Sequence, residues 1–259
     1  MSFVEFHGTR IHYVKTGQGP IVVLIHSLGS NIHMWRSTIE ALKDRYTLLA
    51  FDCRGHGHSS MGDGFTTAKV AADLRGLVEL LGVEQFHLLG LSMGGLIALR
   101  FYSLWPSLVR TLILSGSYAK AGEESRLRLA TAKVNLKKIS MLQWGRQYAA
   151  TTLLPTTPPT VHAALAHAIG KMDPYDYLRV YEAIVNEDVT SILSRVAVPT
   201  IILVGELDRR TPLPFSQQLA EGIHGAQLHV VARAGHLANL DNPEEFHTLI
   251  RAFLDGQSE

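Results

Sequence analysis

The chain has 259 residues, 46% hydrophobic and 18% charged, enough for one α/β domain or two smaller ones with a sizeable core. Its 24 basic and 23 acidic residues leave a formal net charge of +1, which gives no electrostatic case for nucleic acid or an anionic membrane as partner. Cys53 is the single cysteine, which excludes an internal disulfide and suits a reducing compartment. Met1 to Glu5 lacks the charged and apolar regions of a secretory leader, and no apolar run approaches the ~20 residues that span a bilayer. The expectation is a soluble, cytoplasmic protein.

Phe3 to Phe6 and Ile11 to Val14 flank His7-Gly8-Thr9-Arg10, the pattern of an opening β-hairpin. Ile21 to Ile25 is a continuous apolar run suited to a strand buried on both faces of a parallel sheet, and it leads into His26-Ser27-Leu28-Gly29. Trp35 to Leu42 has helical spacing. Tyr46 to Phe51 reads as a strand and ends in Asp52-Cys53-Arg54-Gly55-His56-Gly57-His58-Ser59. From Thr66 to Leu81 an apolar stripe at Val70, Leu74, Leu77, Val78 and Leu81 predicts a helix, with Thr66 or Thr67 as its N-cap. Phe86 to Leu89 and Thr111 to Leu114 predict strands, with helical spacing from Leu96 to Tyr102 between them.

Strands alternating with helices predict an α/β fold with a mostly parallel central sheet flanked by helices. The alternation stops at Gly116. Arg126 to Val134, Met141 to Thr151, Thr160 to Ile169 and Tyr177 to Val185 all read as helices, with no strand among them. Residues 118–194 are therefore expected to be a helical insertion over a core made of 1–117 and 195–259. Strands resume at Thr200 to Val204 and Leu228 to Val231, and Pro243 opens a terminal helix through Leu254.

Between the Phe86 strand and the Leu96 helix stands Gly90-Leu91-Ser92-Met93-Gly94-Gly95, which contains the pattern Gly-x-Ser-x-Gly. In a strand–turn–helix setting this pattern makes a nucleophile elbow. The glycines leave room for a turn too tight for side chains, and the serine hydroxyl is pushed above the sheet edge. A serine needs a base to take its proton, and the base needs an anion to hold its tautomer. Asp208, just past the Thr200 strand, and His236, a few residues past the Leu228 strand, fit these roles at the same edge. Glu206 is the alternative acid. Ser92, Asp208 and His236 are thus the candidate catalytic residues.

The other histidines have simpler readings. His56-x-His58 follows Asp52 in a turn, and His162 and His167 are five apart, off the i, i+4 face that a helical zinc pair requires. No metal site, no Gly-x-Gly-x-x-Gly and no phosphate-binding loop is found, so neither metal nor cofactor is expected.

Four segments together resemble the α/β-hydrolases: His26-Ser27-Leu28-Gly29, Asp52-x-Arg54-Gly55-His56-Gly57-x-Ser59, Gly90-x-Ser92-x-Gly94-Gly95, and Gly205-x-x-Asp208 followed by Gly235-His236. The resemblance runs over nearly the whole chain and implies the α/β-hydrolase fold with a helical cap at residues 118–194. It also implies an oxyanion hole made by the backbone amides of Leu28 and Met93. Ser27 departs mildly from the family's usual His-Gly.

Within the family the wording is most similar to 3-oxoadipate enol-lactonases. It is shared in Ser27-Leu28-Gly29-Ser30-Asn31 with His33-Met34-Trp35, in Ala119-Lys120-x-Gly122, and in Gly235-His236-Leu237-x-Asn239. It fades between Glu123 and Ala168, the stretch expected to line the pocket. Trp144 and Tyr118 are candidates for the pocket wall. A carboxylated lactone would call for a cation in the cap, where Arg126, Arg128, Lys133 and Arg146 are available.

The resemblance implies a cofactor-free serine hydrolase acting through an acyl-enzyme. Its partner would be a small ester or lactone, and neither nucleic acid nor a membrane. Three alternatives share the triad. The first is a carbon–carbon bond hydrolase of aromatic degradation, whose first loop usually carries extra glycines that His26-Ser27-Leu28-Gly29 lacks. The second is a perhydrolase- or haloperoxidase-like esterase, and the third a slow-turnover small-molecule receptor.

Overall fold

The computed structural model describes residues 2–6 and 8–257. His7, in the expected hairpin turn, and Met1, in the stretch searched for a leader, lie outside the described residues. Strands β1 (Ser2–Phe6) and β2 (Thr9–Gly17) pair antiparallel, Phe6 opposite Thr9, as the opening pattern predicts. Next come β3 (Ile21–Ile25), α1 (Arg36–Leu42) and β4 (Thr47–Phe51), and β4 takes β2 antiparallel on one side and β3 parallel on the other. Helix α2 (Thr67–Leu80) is capped by Thr66, whose side chain accepts from the Lys69 amide. It leads to β5 (Phe86–Leu91), α3 (Met93–Leu104) and β6 (Val109–Ser115).

Helices α4 (Glu123–Asn135), α5 (Met141–Thr152), α6 (Pro159–Gly170) and α7 (Pro174–Asn186) follow, then a single turn, α8 (Thr190–Leu193). Helix α5 begins at Met141, as expected, α6 begins just ahead of its expected start at Thr160, and α4 and α7 begin about one turn ahead of theirs. Side-chain caps fix the starts of α5 and α7. Ser140 and Gln143 close a reciprocal capping box on α5, and the Asp173 carboxylate accepts from the Tyr175 and Asp176 amides at the start of α7. The chain then returns as β7 (Thr200–Gly205), α9 (Leu213–Gly222), β8 (Gln227–Val231), α10 (Ala238–Asp241) and α11 (Pro243–Asp255). Helices α8, α9 and α10 are not anticipated by the sequence reading; two of them are single turns too short to show a period.

The sheet order is β1-β2-β4-β3-β5-β6-β7-β8, parallel from β4 to β8. The fold is the expected α/β class, a mostly parallel sheet flanked by helices. Val22 to Ile25 and Leu48 to Phe51 are fully buried, which is why these strands read as continuous apolar runs without alternation. Strand order reverses between β3 and β5, since β4 lies on one side of β3 and β5 on the other. The crevice outside the carboxyl ends of strands at such a reversal is where open α/β sheets bind ligands. The loops after β3 and β5 both open there. Among the described residues no helix is long and apolar enough to cross a membrane.

At that reversal the turn from β5 into α3 presses backbone against backbone. A Cβ on Gly90 would lie 2.2 Å from the Gly94 carbonyl oxygen, and one on Gly94 would lie 2.1 Å from the Ile25 carbonyl oxygen. Neither neighbour is a side chain that can swing aside. Gly94→Ala is therefore expected to cost about 3 kcal/mol or more. Thermal unfolding should show this as a midpoint about 6 °C lower or more.

His56 and His87 are held neutral in the interior. Burial pushes His56 down to about 3, with the nearby His26 adding to the effect, and pushes His87 down to about 4, with Arg110 adding. An unfolded histidine titrates near ~6.5. Between these values the unfolded chain binds more protons than the folded one, so the stability they contribute is full above the unfolded value and is lost as pH falls toward the folded values. Urea unfolding midpoints are expected to fall between pH 7 and pH 4.5, and His87→Gln should reduce that slope by roughly one proton.

Candidate active site

Ser92 lies between β5 and α3 with φ 56° and ψ −114°, and it shares a positive φ with only Arg233 among the described non-glycine residues. A serine in that region is strained and persists only where its surroundings over-determine it. They do so here. The Ser92 amide donates to the Ser115 carbonyl at 2.8 Å, and the Ser117 hydroxyl donates to the Ser92 carbonyl at 2.9 Å. The turn therefore cannot relax without breaking into β6 and the residues just after it.

The loops after β7 and β8 bring the other two predicted residues to this serine. His236 Nε2 is 2.9 Å from Ser92 Oγ, and His236 Nδ1 is 2.9 Å from Asp208 Oδ2. Asp208 is itself fixed. Its Oδ1 accepts from the amides of Arg210 and Thr211 at 2.8 and 3.0 Å, and its Oδ2 accepts from the Thr211 hydroxyl at 2.8 Å. Burial opposes charge on Asp208, but His236 and the Thr211 hydrogen bonds outweigh it and hold the carboxyl below the usual carboxylate range. With Asp208 ionised, Nδ1 carries the imidazole proton and Nε2 is left to accept from the serine. Glu206, the alternative acid, is turned away: its carboxylate accepts from the Arg233 amide at the surface.

Asp241 was not anticipated. Its carboxylate accepts from the Gly235 amide at 2.8 Å, beside His236, and from the Leu154 amide at 3.1 Å and the Thr157 hydroxyl. It ties the histidine loop to the segment that follows α5. It sits in α10, a helix too short to be read from spacing, so only its position five residues after His236 could have pointed to it.

The predicted oxyanion-hole amides, Leu28 and Met93, have no hydrogen-bond partner among the described residues. The Leu28 loop is held from behind by His26, which donates from Nδ1 to the Ser27 carbonyl at 2.8 Å and accepts at Nε2 from the Cys53 amide at 2.9 Å. Burial lowers the His26 pKa and keeps it neutral, as this pair of bonds requires. From above, a Cβ on Gly29 would meet Ile169 at 2.7 Å and Tyr177 at 3.4 Å, so α6 and α7 close directly over this loop. His56 donates to the Arg54 carbonyl and the His58 amide to Asp52. Among the described residues no group of histidine, cysteine and carboxylate side chains could hold a metal.

A cavity of about 790 Å³ reaches from His236 to the helical insertion, with Trp144 and Tyr148 of α5 and Tyr181 of α7 in its wall. Trp144 thus stands at the expected place. Tyr118 does not: it is buried against Phe215, its hydroxyl donates to the Ile184 carbonyl at 3.2 Å, and it takes no part in the wall. Its position just past the Gly116 turn at the end of β6 tucks the ring beneath α7. Of the four candidate cations only Arg128 reaches the cavity, and its guanidinium is taken up by Glu124 and by the Arg209 and Arg210 carbonyls. Lys133 pairs with Glu182, while Arg126 and Arg146 lie outside the wall.

Residues 22–249 match the model of the alpha/beta hydrolase family. The chain is 28% identical to 3-oxoadipate enol-lactonase 2 of Acinetobacter baylyi, over 94% of this chain and 92% of that one. It is 27% identical to the putative carbamate hydrolase RutD of Pseudomonas savastanoi pv. phaseolicola, over 98% of this chain and all of that one, 100%. The crystal structure of the enol-lactonase from Burkholderia xenovorans LB400 superposes with a TM-score of 0.90 at 25% identity, covering 98% of this chain and 100% of that one. With its sheet, its serine turn and a family match over most of its length, this chain belongs to the α/β-hydrolase family.

Proposed function

We propose that this hydrolase is a cofactor-free serine enzyme of the cytoplasm that cleaves a small carboxylic ester or lactone, of the 3-oxoadipate enol-lactone kind. One observation carries the reading: the unbroken line from Ser92 Oγ through His236 to Asp208, 2.9 Å at each step, with His236 in the wall of the cavity. His236 Nε2 takes the Ser92 proton as Oγ attacks the carbonyl carbon. The amides of Leu28 and Met93 receive the oxyanion, in a site where each such donor is worth about 10²–10³ in kcat. Collapse of the tetrahedral intermediate expels the alkoxide or enolate, which takes its proton from His236. The same imidazole then activates a water that hydrolyses the acyl-enzyme, and Asp208 stabilises the imidazolium in both halves.

A lactone adds one requirement. Its leaving oxygen stays tethered to the acyl chain, so the ring-opened product must fit the site until hydrolysis is complete. Residues 118–194 serve as the cap that encloses it, and the size of the cavity supports this. The likeness in sequence and structure to enol-lactonases supports the lactone over a simple ester.

Hydrolysis of 3-oxoadipate enol-lactone, followed by its ultraviolet absorbance, is expected at about 1–10³ s⁻¹. Ser92→Ala should reduce it about 10⁵-fold or more. Cleavage of p-nitrophenyl acetate without cleavage of the lactone would keep the triad and overturn the substrate. A single burst with no turnover on either would point to the slow receptor. Asp208→Asn, which leaves the wrong imidazole tautomer, is expected to lower kcat on p-nitrophenyl acetate about 10⁴-fold.

A further inference from the structure

The cavity beside His236 carries a cation that belongs to the core and not to the helical insertion. Arg210 stands two residues after Asp208 on the loop between β7 and α9, and its amide donates to Asp208 Oδ1. Its side chain runs beneath the end of α5, where Nε donates to the Thr152 hydroxyl at 2.5 Å and Nη2 to the Thr151 hydroxyl at 3.1 Å. The guanidinium carbon lies 3.9 Å from the centre of the Tyr148 ring, over its face. All three partners are neutral.

No carboxylate among the described residues pairs with Arg210, and its Nη1 donates to none of them. Glu124 is the acidic side chain in the cavity wall, and Arg128 already engages it. With Arg209 also in it, the wall therefore keeps uncompensated positive charge in a partly enclosed, low-dielectric space, where field lines are focused and charge-assisted hydrogen bonds gain strength. Stacking on Tyr148 and the two threonine bonds hold the guanidinium plane in one orientation. A planar donor fixed in this way matches a carboxylate.

We propose that Arg210 determines the specificity of this site by receiving a carboxylate that the substrate carries apart from its scissile carbonyl. The preferred substrate class is then an anionic ester or lactone. This rests on the hydrolase reading above and adds to it the residue and the charge that the substrate must bring. A purely structural Arg210, latching the Asp208 loop to α5, would make no distinction between charged and neutral substrates.

The test compares two esters of similar length, the mono-p-nitrophenyl ester of glutaric acid and the p-nitrophenyl ester of hexanoic acid. In Arg210→Met the ratio of kcat/KM for the anionic to the neutral ester is expected to fall about 10–100-fold, carried by the KM of the anionic ester. Arg210→Lys should recover part of that ratio, and Arg210→Glu should depress it further. An unchanged ratio in Arg210→Met, whether both esters slow together or neither does, overturns the proposal and leaves the hydrolase reading standing. Absence of turnover on both esters by the unaltered enzyme overturns the hydrolase reading and this proposal with it.

Discussion

Everything at the site depends on how closely the start of α3 approaches the ends of β3 and β5. Gly94 brings backbone against the Ile25 carbonyl, and Gly90 lets the turn cross over itself. Only with that crossing can Ser92 hold a positive φ and stand above the sheet edge. The strain is balanced by ordinary bonds to Ser115, at the end of the neighbouring β6, and to Ser117 just past it. The serine is therefore positioned by the sheet, not by its own loop, and its geometry is as rigid as the core beneath it.

The loops around Ser92 are held by buried polar groups, each with its partners close by. Asp52 accepts from the amides of Ile32 and His58 and from the His12 ring. Burial opposes its charge, but nearby His26 and these donors outweigh it and keep its carboxyl below the ordinary range. Arg54 forks onto Asp73 of α2 at 2.6 and 2.9 Å. A buried ion pair of this kind contributes little net stability after desolvation, but losing one partner leaves an unpaired charge inside. Its effect here is positional: it pins the loop after β4 to α2, and His26 then ties that loop to the Leu28 loop.

Core and insertion divide the work. The core supplies the serine, imidazole and carboxylate, and the insertion supplies most of the cavity wall. Two core residues reach across the division. Asp241 fastens the histidine loop to Leu154 and Thr157, and Arg210 runs from the Asp208 loop to Thr151 and Thr152. Movement of α5 would therefore be felt at both Asp208 and His236.

Much of this was legible in the residues. The uninterrupted apolar strands, the helical stretch between β6 and β7 and the Gly-x-Ser-x-Gly turn determined the fold class and the elbow, because periodicity and steric room are local properties. The order Ser92, Asp208, His236 followed from each standing just beyond a strand. Spacing alone does not show where long side chains end. The family resemblance pointed to cap cations, of which Arg128 is spent on Glu124 and Lys133 on Glu182, and it passed over Arg210, which looks like a solvated loop residue until α5 is laid over it. It placed Tyr118 at the pocket, where packing turned it inward. The bridge through Asp241 and the open charge on Arg210 were decided only in the tertiary structure. They depend on which distant segments meet, and no local pattern of residues encodes that.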